Sequence, residues 1–280
     1  MNIYDFGFRN YDPAIGRWMN IDPLAEKYYT VSPYIISLNN PLFFVDPNGE
    51  EIWIYSDYGD EKNGKREKYE YKKNRDYSAY SGFRGDAYKA LDALYEASNI
   101  TVDGKEVNII QELMSDTREL SLVKGSESRF KKGRKYDDIN NTDSGSLNNI
   151  GTVFFNNNEG VIFDDITNPK KASEGGDPNY FSNQIKNGKL NKTTQINSPT
   201  SVLGHEMAHG FGFMKSASDY RKRHENKNFL QNGVIFPSQE EARATSLSTQ
   251  ININLSENPR TNYIGGGVLT KGVLSNQMKL

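Results

Sequence analysis

Within a chain of 280 residues, one stretch leaves the backbone little choice. Ser198-Pro199 is followed by Thr200-Ser201-Val202-Leu203-Gly204-His205-Glu206-Met207-Ala208-His209-Gly210-Phe211-Gly212-Phe213. Serine suits a helix cap because its hydroxyl accepts an N–H of the first turn, and proline suits that turn because the N–H it lacks would have no partner there. The spacing predicts a helix from residue 199, on which the imidazoles of His205 and His209, four positions apart, share one face. Two imidazoles so placed suit a single tetrahedral zinc ion, with Glu206 within reach of a water at the position left open. Val202, Leu203 and Met207 are available to bury the opposite side. With three histidines in the chain, a His-Glu-x-x-His string arises by chance in about one chain of several hundred. The plainer alternative is a surface helix whose histidines only form hydrogen bonds.

The absence of cysteine narrows the chemistry further. It removes disulfides, thiolate zinc fingers, iron-sulfur clusters and cysteine nucleophiles, so a metal site must use His, Asp or Glu. Zinc needs a third protein ligand, and the candidates are His224 or a downstream carboxylate. Pro237 and Ser238 open a second expected helix over 237–250, with Glu240 and Glu241 in its first turn. His224 stands between Arg223 and Glu225 in a densely charged run that reads as solvated.

Lys and Arg number 34 against 36 Asp and Glu, a net charge of -2. With no global basic field, nucleic acid is not the expected partner. The basic run within Asp60 to Arg75 reads as a solvated loop or strand pair. No apolar run of about 18 residues predicts a membrane span, and the N-terminus lacks the marks of a signal peptide. A soluble protein without a classical export signal is expected.

The first 50 residues are turn chemistry between short aromatic strands, with strands expected near Tyr4 to Tyr11 and Leu42 to Val45. Asp12-Pro13, Asp22-Pro23 and Asp46-Pro47 mark turns, since proline pushes the preceding residue out of the helical region. The strings GFRNYDPAIGRWMNIDPL and PYIISLNNPLFFVDPNG closely resemble the C-terminal core motif of RHS-repeat proteins, over residues 4 to 49. In that family the motif closes a β-cocoon and precedes a variable toxin domain, often after self-cleavage at paired Asp-Pro-x-Gly elements. Here Asp46-Pro47-Asn48-Gly49 keeps the pattern, and Asp22-Pro23-Leu24-Ala25 departs from it.

Beyond residue 50, Glu51 to Tyr58 alternates as a strand does. Gly82 to Ser98 carries apolar residues at helical spacing behind Ser81 as a cap, and Ile100 to Ile110 reads as a hairpin around Asp103-Gly104. Thr152 to Phe155 and Val161 to Phe163 are strand candidates. Residues 131–149 and 167–198 read as loops, and Gly265-Gly266-Gly267 as a flexible turn.

The strings GHEMAHGFG and EEARAT resemble the gluzincin metallopeptidases, within them the bacterial effector and toxin peptidases, over residues 150 to 265. In that group a Glu on a following helix completes a two-His, one-Glu site. Related clans often place a polar residue four positions after the ligand, which fits Glu241 with Thr245 and not Glu240 with Ala244. Glu241 is the expected ligand, and Glu240 either orients a histidine or faces solvent. A metzincin would need a histidine soon after His209, and residues 210–220 hold none. Glu206 would act as general base, and Arg260 or Tyr263 would steady the oxyanion. A strand within Thr152 to Phe163 would pair with an extended substrate.

The expected architecture is α+β, a zincin-like metallopeptidase domain over 51–280 behind a β-rich RHS tail over 1–50. The expected function is that of a Zn2+ endopeptidase toxin, made in a bacterial cytoplasm, exported by a toxin-delivery system and acting on proteins of a target cell. Its expected partners are that protein substrate, an immunity protein and the upstream RHS shell or delivery machinery. Two rivals are a non-catalytic tip of an RHS protein and a nuclease toxin, the latter lacking a His-Asn-His layout.

Overall fold

The computed structural model describes residues 4–5, 10–12, 17–19, 52–55, 67–133, 149–164, 194–260 and 266–279. The chain divides into two units, Met1–Gly49 and Glu50–Leu280. In the first, β1 (Tyr4–Asp5), β2 (Asn10–Asp12) and β3 (Arg17–Trp18) form an antiparallel meander, with Tyr4 opposite Tyr11 and Tyr11 opposite Trp18. Asp12, held extended by the proline after it, ends β2. The strand expected at Leu42 to Val45 and the turn at Gly49 lie outside the described residues.

The second unit opens with β4 (Ile52–Tyr55) and β5 (Lys68–Tyr71), the latter within the basic run. Next come α1 (Gly82–Ala97), β6 (Asn99–Val102), β7 (Lys105–Asn108), α2 (Ile109–Met114), β8 (Glu119–Lys124), β9 (Arg129–Lys132), β10 (Asn149–Phe155), β11 (Glu159–Asp164) and β12 (Thr194–Asn197). The chain ends with α3 (Pro199–Lys215), α4 (Ala217–Glu225), β13 (Lys227–Gln231), β14 (Val234–Ser238), α5 (Gln239–Asn254) and β15 (Gly266–Leu269). The architecture is α+β, small sheets packed with helices.

The main sheet has the order β5-β4-β8-β10-β9. Its three inner strands are parallel, and the outer two run antiparallel to their neighbours. β8 is buried on both faces, at Leu120 and Leu122 as at Ser121 and Val123, which is why it reads as a continuous run without alternation. In α1, Phe83, Ala87, Leu91 and Leu94 form the buried stripe that their spacing predicts. Leu91 and Leu94 are fully buried, and truncating either to Ala would cost about 2 to 5 kcal/mol. Ser81 occupies the cap position of α1 without a side-chain hydrogen bond to it. Asp103 and Gly104, both at positive φ, turn β6 into β7. Ile109 and Ile110, expected in that hairpin, begin α2 instead, because Asn108 caps a helix there.

Several expectations need correction. The loop at 131–149 gives Lys131 and Lys132 to β9 and Asn149 to β10, and the loop at 167–198 ends in β12. Gly266 and Gly267 belong to β15, which pairs with β11 in a second sheet of order β12-β11-β15. Neither β10 nor β11 has a free edge, since each lies between two strands. Among the described residues two edge strands contact α3, β9 and β12. Gly151 of β10 admits that strand closely, for a Cβ there would lie 2.4 Å from the Lys131 carbonyl oxygen. No described helix is long and apolar enough to cross a membrane.

Candidate metal centre

Ser198 caps α3 by accepting from the Ser201 N–H at 3.2 Å, with Pro199 in the first turn. Ser238 caps α5 in the same way through the Glu241 N–H at 3.2 Å. The two helices pack antiparallel, and a step of four up α3 matches a step of four down α5. Ser201 donates to Asn252 Oδ1 at 2.7 Å, and His205 Nδ1 meets Ser248 Oγ at 3.3 Å. Gly204 allows the approach, since a Cβ there would press on Leu94 at 3.0 Å and Ile251 at 3.3 Å.

Farther along α3, Glu241 Oε2 lies 3.3 Å from His205 Nε2 and 3.2 Å from His209 Nε2. The two rings stand edge to face, their centroids 4.8 Å apart. Glu240 takes the other side of His209, with Oε1 3.5 Å from Nδ1, which is buried and makes no hydrogen bond. Glu240 is itself fully buried. Arg223 Nε donates to its Oε2 at 2.5 Å and Arg243 Nη1 to its Oε1 at 3.2 Å. Gly212 leaves the room, for a Cβ there would meet Arg243 Nη1 at 2.5 Å and Glu240 Oε1 at 2.9 Å.

These contacts set the tautomers. Ser248 Oγ donates to the Thr245 carbonyl at 3.1 Å, so toward His205 it accepts and the imidazole proton sits on Nδ1. The Glu240 carboxylate likewise calls for the proton on His209 Nδ1. Both Nε2 atoms then face the Glu241 carboxylate, and a set of two imidazole nitrogens and one carboxylate oxygen fits a divalent cation such as zinc. Burial alone would lower His209, but Glu240 and Glu241 raise it to about 10. Burial would raise Glu241, yet the two histidines hold it below the usual carboxylate range. Burial is the main reason His205 stays below the usual imidazole range; His209 and Arg260 act the same way and Glu241 opposes. The pocket thus favours added positive charge, which a proton on His209 or a metal ion can supply.

Among the described residues, His205, His209 and Glu241 form the group whose ligand atoms all lie within 4.8 Å of one another. His224 does not join it; its exposed ring stacks on Tyr220 at 6.1 Å. Glu206 is half-buried beside the pair, and its charge acts to raise both histidines. Arg260 is close enough for its charge to reach His205, while its carbonyl accepts from Thr249 Oγ1 at 2.6 Å. Tyr263 lies outside the described residues. The supporting role expected of Thr245 falls to Ser248; Thr245 Oγ1 is buried without a hydrogen-bond partner.

Ser248 has a signal in hindsight: it lies seven residues after Glu241, two turns along one helix face. Arg223 has none, since a charged run reads as a solvated face. Tyr220 was missed for the same reason, though its buried ring meets His209 edge-on at 6.3 Å. Comparison of the chain with protein-family models, curated proteins and solved structures gives no match.

Proposed function

We propose that the chain is a zinc-dependent endopeptidase with a zincin-like catalytic unit, serving as the C-terminal toxin of an RHS-type delivery protein. The observation that carries the catalytic part is the convergence of His205, His209 and Glu241, one residue from Glu206. Those three side chains would hold the metal. Zinc bound there supplies a Lewis acid that polarises the scissile carbonyl and acidifies a water.

The remaining work falls to the chain. Glu206 takes a proton from the attacking water and delivers it to the amine as the C–N bond breaks, so that a carboxylate and an amine leave. Arg260 balances negative charge as it builds on the carbonyl oxygen, and Tyr263 keeps the role expected of it. Glu240 and Ser248 hold the two imidazoles in register. A substrate peptide in extended form adds to β9, the edge strand that packs against α3 through Phe130.

The delivery reading rests on the RHS-like string over residues 4 to 49, and it carries an upstream shell, a target-cell protein substrate and an immunity protein as proposed partners. Zinc analysis of the purified chain tests the centre, with one ion per chain expected. Glu206→Gln should keep the zinc and lose peptide hydrolysis and toxicity. Full hydrolysis by that variant would sink the mechanism.

A further inference from the structure

One wall of the centre is cationic and is not used by the chemistry above. β9 alternates, so Arg129 and Lys131 lie over Phe154 on one face of the sheet while Phe130 and Lys132 share the face toward α3 and α4. The Lys132 ammonium is 5.7 Å from the centroid of the Tyr220 ring. That ring meets His209 edge-on on one side and lies parallel to the His224 ring, 7° apart, on another. Lys132, His224 and Lys227, at the start of β13, are all exposed. Burial, then the charges of Lys227 and Lys132, hold His224 below the usual imidazole range, and His224 also feels Glu241 and His209. The Tyr220 ring thus sets Lys132 and His224 beside His209, and Lys227 follows His224 by three residues. Of the acidic residues on α4, Asp219 pairs with Lys222 at 3.6 Å, and Glu225 projects about 100° round the helix from His224.

We propose that this wall is a specificity subsite for an acidic residue of the substrate, its carboxylate held by Lys132 and Lys227 with His224 beside Tyr220. A peptide added to β9 passes Lys132 as it approaches the histidines, and Tyr220 gives the acidic side chain's methylenes an apolar floor. The subsite rests on the peptidase reading, whose failure has its own signature.

The test uses the zinc-loaded full chain and a degenerate peptide library, followed by matched peptides carrying Glu, Gln or Lys at each position flanking the cut. Wild-type protein should show kcat/KM about three- to tenfold higher for Glu than for Gln at one position, as a few solvent-facing charge pairs can supply. Lys132→Glu and Lys227→Glu should each bring that ratio to one or below. Affinity of the Glu206→Gln protein for the same peptides, by fluorescence anisotropy, should follow the same order and weaken with salt. Equal cleavage of Glu and Gln peptides by wild type, or an unchanged ratio in both charge reversals, overturns the subsite alone. Absence of any cleavage overturns the peptidase reading and the subsite with it.

Discussion

Glu240 and Glu241 are adjacent in sequence, yet their carboxylates bracket a single imidazole: Glu241 Oε2 is 3.2 Å from His209 Nε2 and Glu240 Oε1 is 3.5 Å from its Nδ1. Successive residues on a helix diverge by about 100°, so the two neighbours reach one ring from different directions, each at its own nitrogen. The same geometry divides their duties. Glu241 faces the Nε2 atoms of both histidines, and Glu240 is pinned by Arg223 and Arg243.

Glutamine at each position should separate those duties. Glu241→Gln removes the proposed carboxylate ligand and should abolish stoichiometric zinc binding. Glu240→Gln keeps the ligands and should weaken zinc by about 10- to 100-fold, the usual effect of losing a group that orients a ligand histidine. It should also destabilise the metal-free protein by about 3 kcal/mol, since two arginines lose the carboxylate that pairs them. Chelator competition gives the affinities and urea denaturation the stabilities. Equal zinc affinity in wild type and Glu240→Gln would refute the orienting role.

A second pair distinguishes the residue expected behind His205 from the one that is there. Ser248→Ala removes the acceptor for the His205 Nδ1–H and should weaken zinc about tenfold. Thr245→Val replaces a hydroxyl that has no partner and should leave zinc affinity unchanged, with stability equal or slightly higher. Loss of zinc affinity in Thr245→Val would restore the role first expected of Thr245.

What could be read in advance, and what could not, follows from how each feature is encoded. The cap Ser198, Pro199 and the four-residue histidine spacing are local, and they place α3 and its two histidines without tertiary information. Resemblance favours Glu241 over Glu240; the geometric reason is the antiparallel register set by Ser201 with Asn252 and His205 with Ser248, which no local pattern reveals. β8 has no alternation to read because both its faces are buried, and α2 is too short to show a period. Gly266 and Gly267 looked like a turn by composition, but pairing with Val161 and Ile162 makes them a strand. The hairpin turn Asn232-Gly233, at positive φ like Asp103-Gly104, carries the same signal close after the charged run.

Away from the centre, Glu119 ties three strands of the main sheet. It accepts from Tyr55 of β4 at 2.7 Å, Ser121 of β8 at 2.9 Å and Lys68 of β5 at 3.1 Å. Burial pushes its carboxyl up, and these three donors outweigh that and hold it below its ordinary 4.5. A carboxyl depressed by folding contributes stability above its unfolded pKa and loses it as pH falls through the folded one. Glu119→Gln should therefore be less stable than wild type at neutral pH, with the gap closing as pH drops below about 4.5. Thermal unfolding of both proteins across that range measures it, and a gap independent of pH would contradict the assignment.

Removal of metal should destabilise the second unit more than the ligands' own contacts would suggest. His205 and His209 lie on α3 and Glu241 on α5, and these helices meet through Ser201, Gly204 and Ser248 over much of their length. An ion bound to all three residues joins the two helices directly and has no comparable partner set in the unfolded chain, so its binding free energy adds to folding. At free zinc 1,000-fold above the dissociation constant the stabilisation is about 4 kcal/mol. A chelator should lower the melting temperature of wild type and, by a similar amount, of Glu206→Gln, which keeps every ligand. Glu241→Gln should melt at one temperature with or without zinc. A zinc-dependent melting temperature in Glu241→Gln would place the metal elsewhere in the chain.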